Sequence, residues 1–260
     1  MRIFSGIIEI VLVGYIVWQV VSFVPRYHQL KLAVASGDTG ARTRVYYHAL
    51  TFEWVSALLS LLALGFDWSK LNPQYLALGG SRLMQALALN DSSKAGVATG
   101  VALGLVLGTV GLVVGRVMAN RRGRVAVPSP AVSRLRKFLP DFSALLPSTT
   151  QERLLWTGVA LSAGICEEVV FRGWLLAALH NTVGLGGTAL VVTAAVIFGL
   201  AHAYQRVTGM VLTALAGLLF CVLYVKTGSL LVPILLHALI DVRFAVLPAP
   251  RTETPTPVYT

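Results

Sequence analysis

The sequence predicts an all-α protein, a polytopic transmembrane helix bundle of about seven spans, with an eighth segment as an alternative. Three observations lead there. Hydrophobic residues fill 56% of the 260 positions and charged residues only 12%, where soluble domains carry about 25% charged residues. Mean hydropathy is +0.74, and apolar runs of near-spanning length recur, a crossing needing about 20 residues. The few ionisable residues within the last apolar runs are confined to short, helix-spaced groups.

The expected spans are 3–24, 47–65, 97–117, 154–179, 188–203, 208–225 and 230–244, the last of them short. The segment 71–89 holds Gln74, Arg82 and Gln85 and reads better as an interfacial helix. The first run reads as a retained anchor rather than a cleaved leader. It exceeds the usual apolar length of a leader, Glu9 interrupts it, and no small-x-small site precedes Pro25. The third run carries Gly96, Gly100, Gly104 and Gly108. That spacing allows close helix packing, within the bundle or across a homodimer seam.

The chain divides into an N-terminal three-helix membrane region (1–117) and a basic, proline-bearing connection (118–151). A four-helix region (152–244) and a Pro/Thr-rich, disordered tail (245–260) follow. The connection either lies on the membrane surface or forms a solvated loop.

The net charge of +10 does not indicate nucleic-acid binding, because most of it falls in two loops. Arg26, Lys31, Arg42 and Arg44 occupy the first. Arg116, Arg121, Arg122, Arg124, Arg134, Arg136, Lys137 and Arg153 occupy the third. Seven spans put both loops on one side. The positive-inside rule makes that side cytoplasmic, together with the C-terminus, in an integral protein of a plasma membrane such as the bacterial inner membrane. Cys166 and Cys221 lie inside expected helices and read as small buried hydrophobes.

The chemistry concentrates in three motifs. GICEEVVFRGW holds Glu167, Glu168 and Arg172; IFGLAHAY holds Phe198 and His202; LLHALIDV holds His237 and Asp241. A charge at mid-bilayer costs roughly 3 kcal/mol even on lenient scales. Residues four apart share a helical face, so Glu168 can pair with Arg172, while Glu167 points about 100° away. Glu167, outside that pair, is suited to take a proton from water and return it to a leaving amine. Taken singly, the Glu–Arg pair could equally be a structural helix contact, and His202 a core or interfacial residue. Asp241 shares a face with His237, where it could hold the imidazole in one tautomer, and both could ligate a metal. Three such motifs on consecutive apolar segments argue for one shared site. Glu9 and Glu53 read as bundle-facing, hydrogen-bonded carboxylates. His180 and Asn181 read as a helix C-terminal region, and His28 and His48 as interfacial.

At these residues the sequence resembles the CAAX prenyl endopeptidase and bacteriocin-processing (abortive-infection-like) family of intramembrane proteases. EEVVFR, FGLAH and HALID match its paired-glutamate, Phe-x-x-x-His and His-x-x-x-Asn/Asp motifs. The resemblance covers roughly residues 152–244. It implies hydrolysis of a peptide bond in a membrane-associated peptide or lipidated protein substrate, with membrane lipids as surroundings. Glu167 would be the water-activating base and His202 its partner. His237 and Asp241 would stabilise the oxyanion or join a metal, and Glu168 and Arg172 would orient the site. Glu167, His202 and His237 could then hold zinc, and metal-free and zinc mechanisms both remain open. Asp241 stands where many members have Asn, and an ionised Asp cannot donate a hydrogen bond to an oxyanion. There is no HExxH zinc motif, GxSG-type serine or GxGD aspartate pair. A non-catalytic membrane partner with the same fold, acting in regulation, peptide export or immunity, is the rival reading. A small proton-relay transporter is a third, without an evident inverted repeat.

Overall fold

The computed structural model describes residues 2–65 and 142–246, and every element among them is helical. The glycine-spaced third run, segment 71–89, most of the connection and nearly all of the tail lie outside the described residues. The elements are α1 (Arg2–Ala35), α2 (Ala41–Ala63), α3 (Thr150–Glu168), α4 (Leu176–Val183), α5 (Gly187–Ala201), α6 (Arg206–Thr227) and α7 (Leu231–Val242). A π-helical stretch, Val169–Leu175, joins α3 to α4 without a break. Short 3-10 turns stand at Ser143–Leu145, Ala203–Gln205 and Arg243–Ala245.

Among the described residues, three helices are long and apolar enough to cross a membrane: Gly6–Ala35, Thr150–Val183 and Ala203–Thr227. The apolar α5 is shorter, and α7 has 12 residues, about 18 Å at 1.5 Å per residue. Expected runs 47–65, 188–203 and 230–244 therefore have helical counterparts that fall outside this set. Large apolar side chains such as Ile10, Val21, Leu215 and Leu235 are exposed, the surface of a protein solvated by lipid tails rather than water.

Two local readings need correction. The first helix was expected to stop before Pro25, yet it runs through Pro25 to Ala35. Proline removes one helical hydrogen bond, but Tyr27 and Leu30 beyond it are buried against Ala41, Ala144 and Leu145, and that packing sustains the extra turns. The expected loop from 25 to 46 is thus mainly helix, with a tight turn around Gly37 (φ +85°). Arg42 is likewise no loop charge. Its guanidinium donates to the Ala144 carbonyl (2.8 Å) and the Ser148 hydroxyl (3.1 Å) and lies 3.7 Å from Glu152.

The start of α3 has a capping box. The Thr149 hydroxyl accepts from the Glu152 N–H (3.2 Å), and the Glu152 carboxylate accepts from the Thr149 N–H (3.2 Å). The other end of this helical run closes at Gly184, φ +76°. There Leu185 N donates to the Leu179 carbonyl and Gly184 N to that of His180, satisfying end carbonyls by a left-handed cap. His180 adds a ring contact from Nδ1 to the Leu185 carbonyl (2.9 Å), as its helix-end position suggested.

The packing that positions the site is of α3 on α7, α3 on α2, and α5 on α6. Small residues allow it. A Cβ on Gly164 of α3 would lie 2.8 Å from the Ala238 Cβ and 2.9 Å from its backbone nitrogen on α7. One on Gly199 of α5 would lie 2.6 Å from the Met210 carbonyl oxygen of α6. Both cysteines are buried and free, as their setting suggested.

Candidate active site

The three motifs meet. Glu167 and Glu168 end α3, Arg172 lies in the π-helical stretch, His202 caps α5, and His237 and Asp241 face inward from α7. A π-helical stretch shifts the faces a helix presents, and such insertions concentrate at functional sites. Here six consecutive residues, Val170 to Leu175, are buried, which a regular amphipathic helix would not achieve.

A wholly buried layer lies underneath. Glu168 Oε1 accepts from Arg172 (3.0 Å) and from Nδ1 of His237 (2.8 Å), tying two motifs to one oxygen. Arg172 also donates to the Gly217 carbonyl of α6 (3.0 Å), and its guanidinium lies over the rings of Phe198 (4.4 Å) and Phe220 (5.1 Å). Desolvating an arginine is tolerable when it is ion-paired, hydrogen-bonded and stacked on aromatic faces. Gly217 is required for that stack, because a Cβ there would stand 2.8 Å from the Phe198 ring. Phe220 also stacks on the His237 imidazole, centroids 4.9 Å apart at 22°.

Above this layer lie the partly exposed groups. Glu167, His202 and Asp241 side chains are 20%, 16% and 30% exposed, against 6% for His237. Glu167 Oε2 is 3.9 Å from His202 Nε2 and 3.8 Å from His237 Nε2, and has no hydrogen-bond partner. These separations exceed a direct hydrogen bond and suit groups that share a small molecule between them. The second nitrogen of each ring is committed. His202 Nδ1 contacts the Phe198 carbonyl (2.9 Å), which assigns the hydrogen to Nδ1 and leaves a lone pair on Nε2 facing Glu167. The Phe-x-x-x-His spacing therefore sets a tautomer.

His237 stands between two carboxylates. The nitrogen available for orienting His237 is held by Glu168, while Asp241 Oδ2 lies 3.5 Å from the other nitrogen, Nε2. Asp241 thus stands beside the open face of the ring. Its own carbonyl accepts from the Trp156 indole (3.0 Å).

Two further residues join the site. Glu53 of α2 is buried, as a bundle-facing residue should be, and its Oε2 lacks a hydrogen-bond partner. It lies close enough to Glu167, Asp241 and His237 for charge interaction. A lone Glu within an apolar run was the available signal. Tyr204 follows His202 by two residues, with ring centroids 6.1 Å apart, and its hydroxyl accepts from the Gln205 amide (3.0 Å). Nothing in the local pattern marks Tyr204.

Among the described residues, no group of three or more His, Cys, Asp or Glu is arranged to hold a metal ion. The donors cluster: with Nδ1 of His237 held by Glu168, the Nε2 atoms of His202 and His237 face Glu167 Oε2 at 3.9 and 3.8 Å. Glu167, His202 and His237, the suggested zinc set, thus lie together without forming a metal-ready group.

Residues 149–243 match the family model described as type II CAAX prenyl endopeptidase Rce1-like. No curated protein and no solved structure matches the chain. The matched stretch is a little over a third of the sequence, and it contains all three motifs. With its apolar helices, the chain is an integral membrane protein whose motif-bearing region is similar to the type II CAAX prenyl endopeptidase Rce1-like family.

Proposed function

We propose that this protein is an intramembrane endopeptidase in which Glu167 activates a water molecule to attack a peptide carbonyl. The reading rests on the convergence of Glu167 Oε2 with the Nε2 atoms of His202 and His237, at 3.9 and 3.8 Å. A water between the first two could donate one hydrogen to Glu167 and the other to the His202 lone pair, leaving its oxygen free to attack. As the C–O bond forms, the proton passes to Glu167 and negative charge develops on the carbonyl oxygen. His237, when both ring nitrogens carry hydrogen, offers Nε2–H to that oxyanion while Glu168 holds Nδ1–H. Collapse breaks the C–N bond, and Glu167 returns its proton to the leaving amine. Protons balance, and no other reactant is needed.

The substrate is a peptide or lipidated protein held at the membrane, as the matched family's name implies. The protein would lie in a plasma membrane, bacterial inner membrane included, with its C-terminus in the cytoplasm. The decisive experiment is cleavage of a quenched fluorogenic peptide by the purified, detergent-solubilised protein beside its Glu167→Ala variant. Turnover by wild type alone supports the reading. Equal rates for the two proteins remove it.

A further inference from the structure

Away from this site, α1 and α2 part to leave a cavity of about 260 Å³, bordered by Arg26, Gln29 and Leu30 of α1 and by Arg44, Val45 and His48 of α2. Arg26 is held in place by neutral groups. It donates to Gln19 Oε1 (3.2 Å) and to His48 Nε2, and its guanidinium lies 5.2 Å from the Trp18 ring centroid. Gln19, itself buried, reaches His48 with its amide (2.9 Å). No carboxylate pairs with Arg26 among the described residues; Asp38, in the turn after α1, is engaged by Arg44. A guanidinium has five N–H donors, so a positive charge with donors to spare, held in one orientation, borders the cavity.

The depth of the cavity points to its ligand. Below it, the outer face of α1 is apolar, with Val17, Val21 and Val24 exposed. Exposed Trp18 and Tyr47 flank it, as aromatic side chains do at the headgroup level. Beyond it, Gln29, Asp38 and Arg44 are exposed. The cationic cleft therefore straddles the boundary between apolar and polar surface, where the phosphate of a lipid sits above its chains.

We propose that the cleft between α1 and α2 binds the headgroup phosphate of an anionic phospholipid, with Arg26 as the principal contact and Arg44 at the rim. The lipid's chains would run down the exposed valines of α1. An anionic headgroup completes the charge that the protein leaves open at Arg26, whereas a zwitterionic headgroup brings its own cation. The site is separate from the proposed peptidase chemistry, so either can fail without the other.

The test uses the full chain in neutral detergent, with lipid adducts counted by native mass spectrometry and thermal stability followed in parallel. Phosphatidylglycerol, phosphatidylcholine, inorganic phosphate and a short peptide with a free C-terminal carboxylate are compared. Wild type should retain phosphatidylglycerol over phosphatidylcholine, and Arg26→Gln should weaken that retention about fivefold, the scale for one basic residue at a membrane surface. Arg26→Lys should retain part of it, and Arg206→Gln should match wild type. If Arg26→Gln does not fold, Arg44→Gln serves, with a smaller loss expected. Equal retention by wild type and the folded Arg26 or Arg44 variant would overturn the proposal. So would stabilisation by phosphate alone equal to that by lipid, which marks a free-anion site. Stabilisation by the peptide but not by phosphatidylglycerol would assign the cleft to a peptide carboxylate instead.

Discussion

Glu168 Oε1 sits 2.8 Å from His237 Nδ1 and 3.0 Å from an Arg172 nitrogen, so a single buried oxygen links two helical runs that are distant in sequence. Fully buried, Glu168 is placed to support the proposed chemistry rather than to meet water. Glu168→Ala should strand both Arg172 and His237. Breaking a buried pair costs about 3–5 kcal/mol, so the variant should be recovered in low yield and melt early. A Glu168→Ala protein with wild-type thermal stability would contradict this account.

Glu167 should behave in the opposite way. Its Oε2 has no hydrogen-bond partner, so Glu167→Gln removes the base without breaking an observed hydrogen bond. Turnover should fall by at least ~10²-fold, the scale of one acid–base group, while thermal stability stays at the wild-type level. The pairing of those two readouts separates this role from that of Glu168.

Asp241→Asn should keep activity within about tenfold of wild type. Its carboxylate lies beside Nε2 of His237 at 3.5 Å, and the tautomer-setting contact is made by Glu168. Loss of an orienting partner that forces the wrong tautomer reaches about 10⁴-fold. A loss of that size, read from peptide-cleavage rates, would make Asp241 the orienting residue after all.

Gly164→Ala tests the helix spacing. The added Cβ would meet Ala238 backbone on α7 at 2.9 Å, and backbone cannot swing aside as a flexible side chain can. Displacing α7 carries His237 away from Glu167. A misplacement of about 1 Å can cost 10²-fold in rate, so activity should collapse while the protein still inserts into membranes. Wild-type rates in Gly164→Ala would mean that this spacing is not critical.

Chelation and topology supply two independent checks. Cleavage should persist after dialysis against strong chelator; loss restored by zinc would return Glu167, His202 and His237 to a ligand role. For topology, the exposed turn residue Ser36 is a better reporter than the engaged Arg42. Ser36→Cys should resist membrane-impermeant thiol reagents in intact cells and react in inverted vesicles.

Sequence alone determined what depends on near neighbours and on solvent. Apolar runs mark helices because an unpaired backbone cannot sit in lipid. Glu168 with Arg172, Phe198 with His202, and His237 with Asp241 are each four residues apart, so one helical turn predicts each local grouping. Tertiary structure decided which partner each polar atom meets. Whether Glu168 or Asp241 takes His237 Nδ1 depends on how α3 sits on α7, which Gly164 permits by letting their backbones approach. Glu53 enters from α2 and Tyr204 from a turn after α5, placements that no local spacing encodes. Pro25 stays inside a helix because Tyr27 and Leu30 find buried partners far along the chain. Such outcomes follow from long-range packing, where burial energy overrides the local preference that periodicity reads.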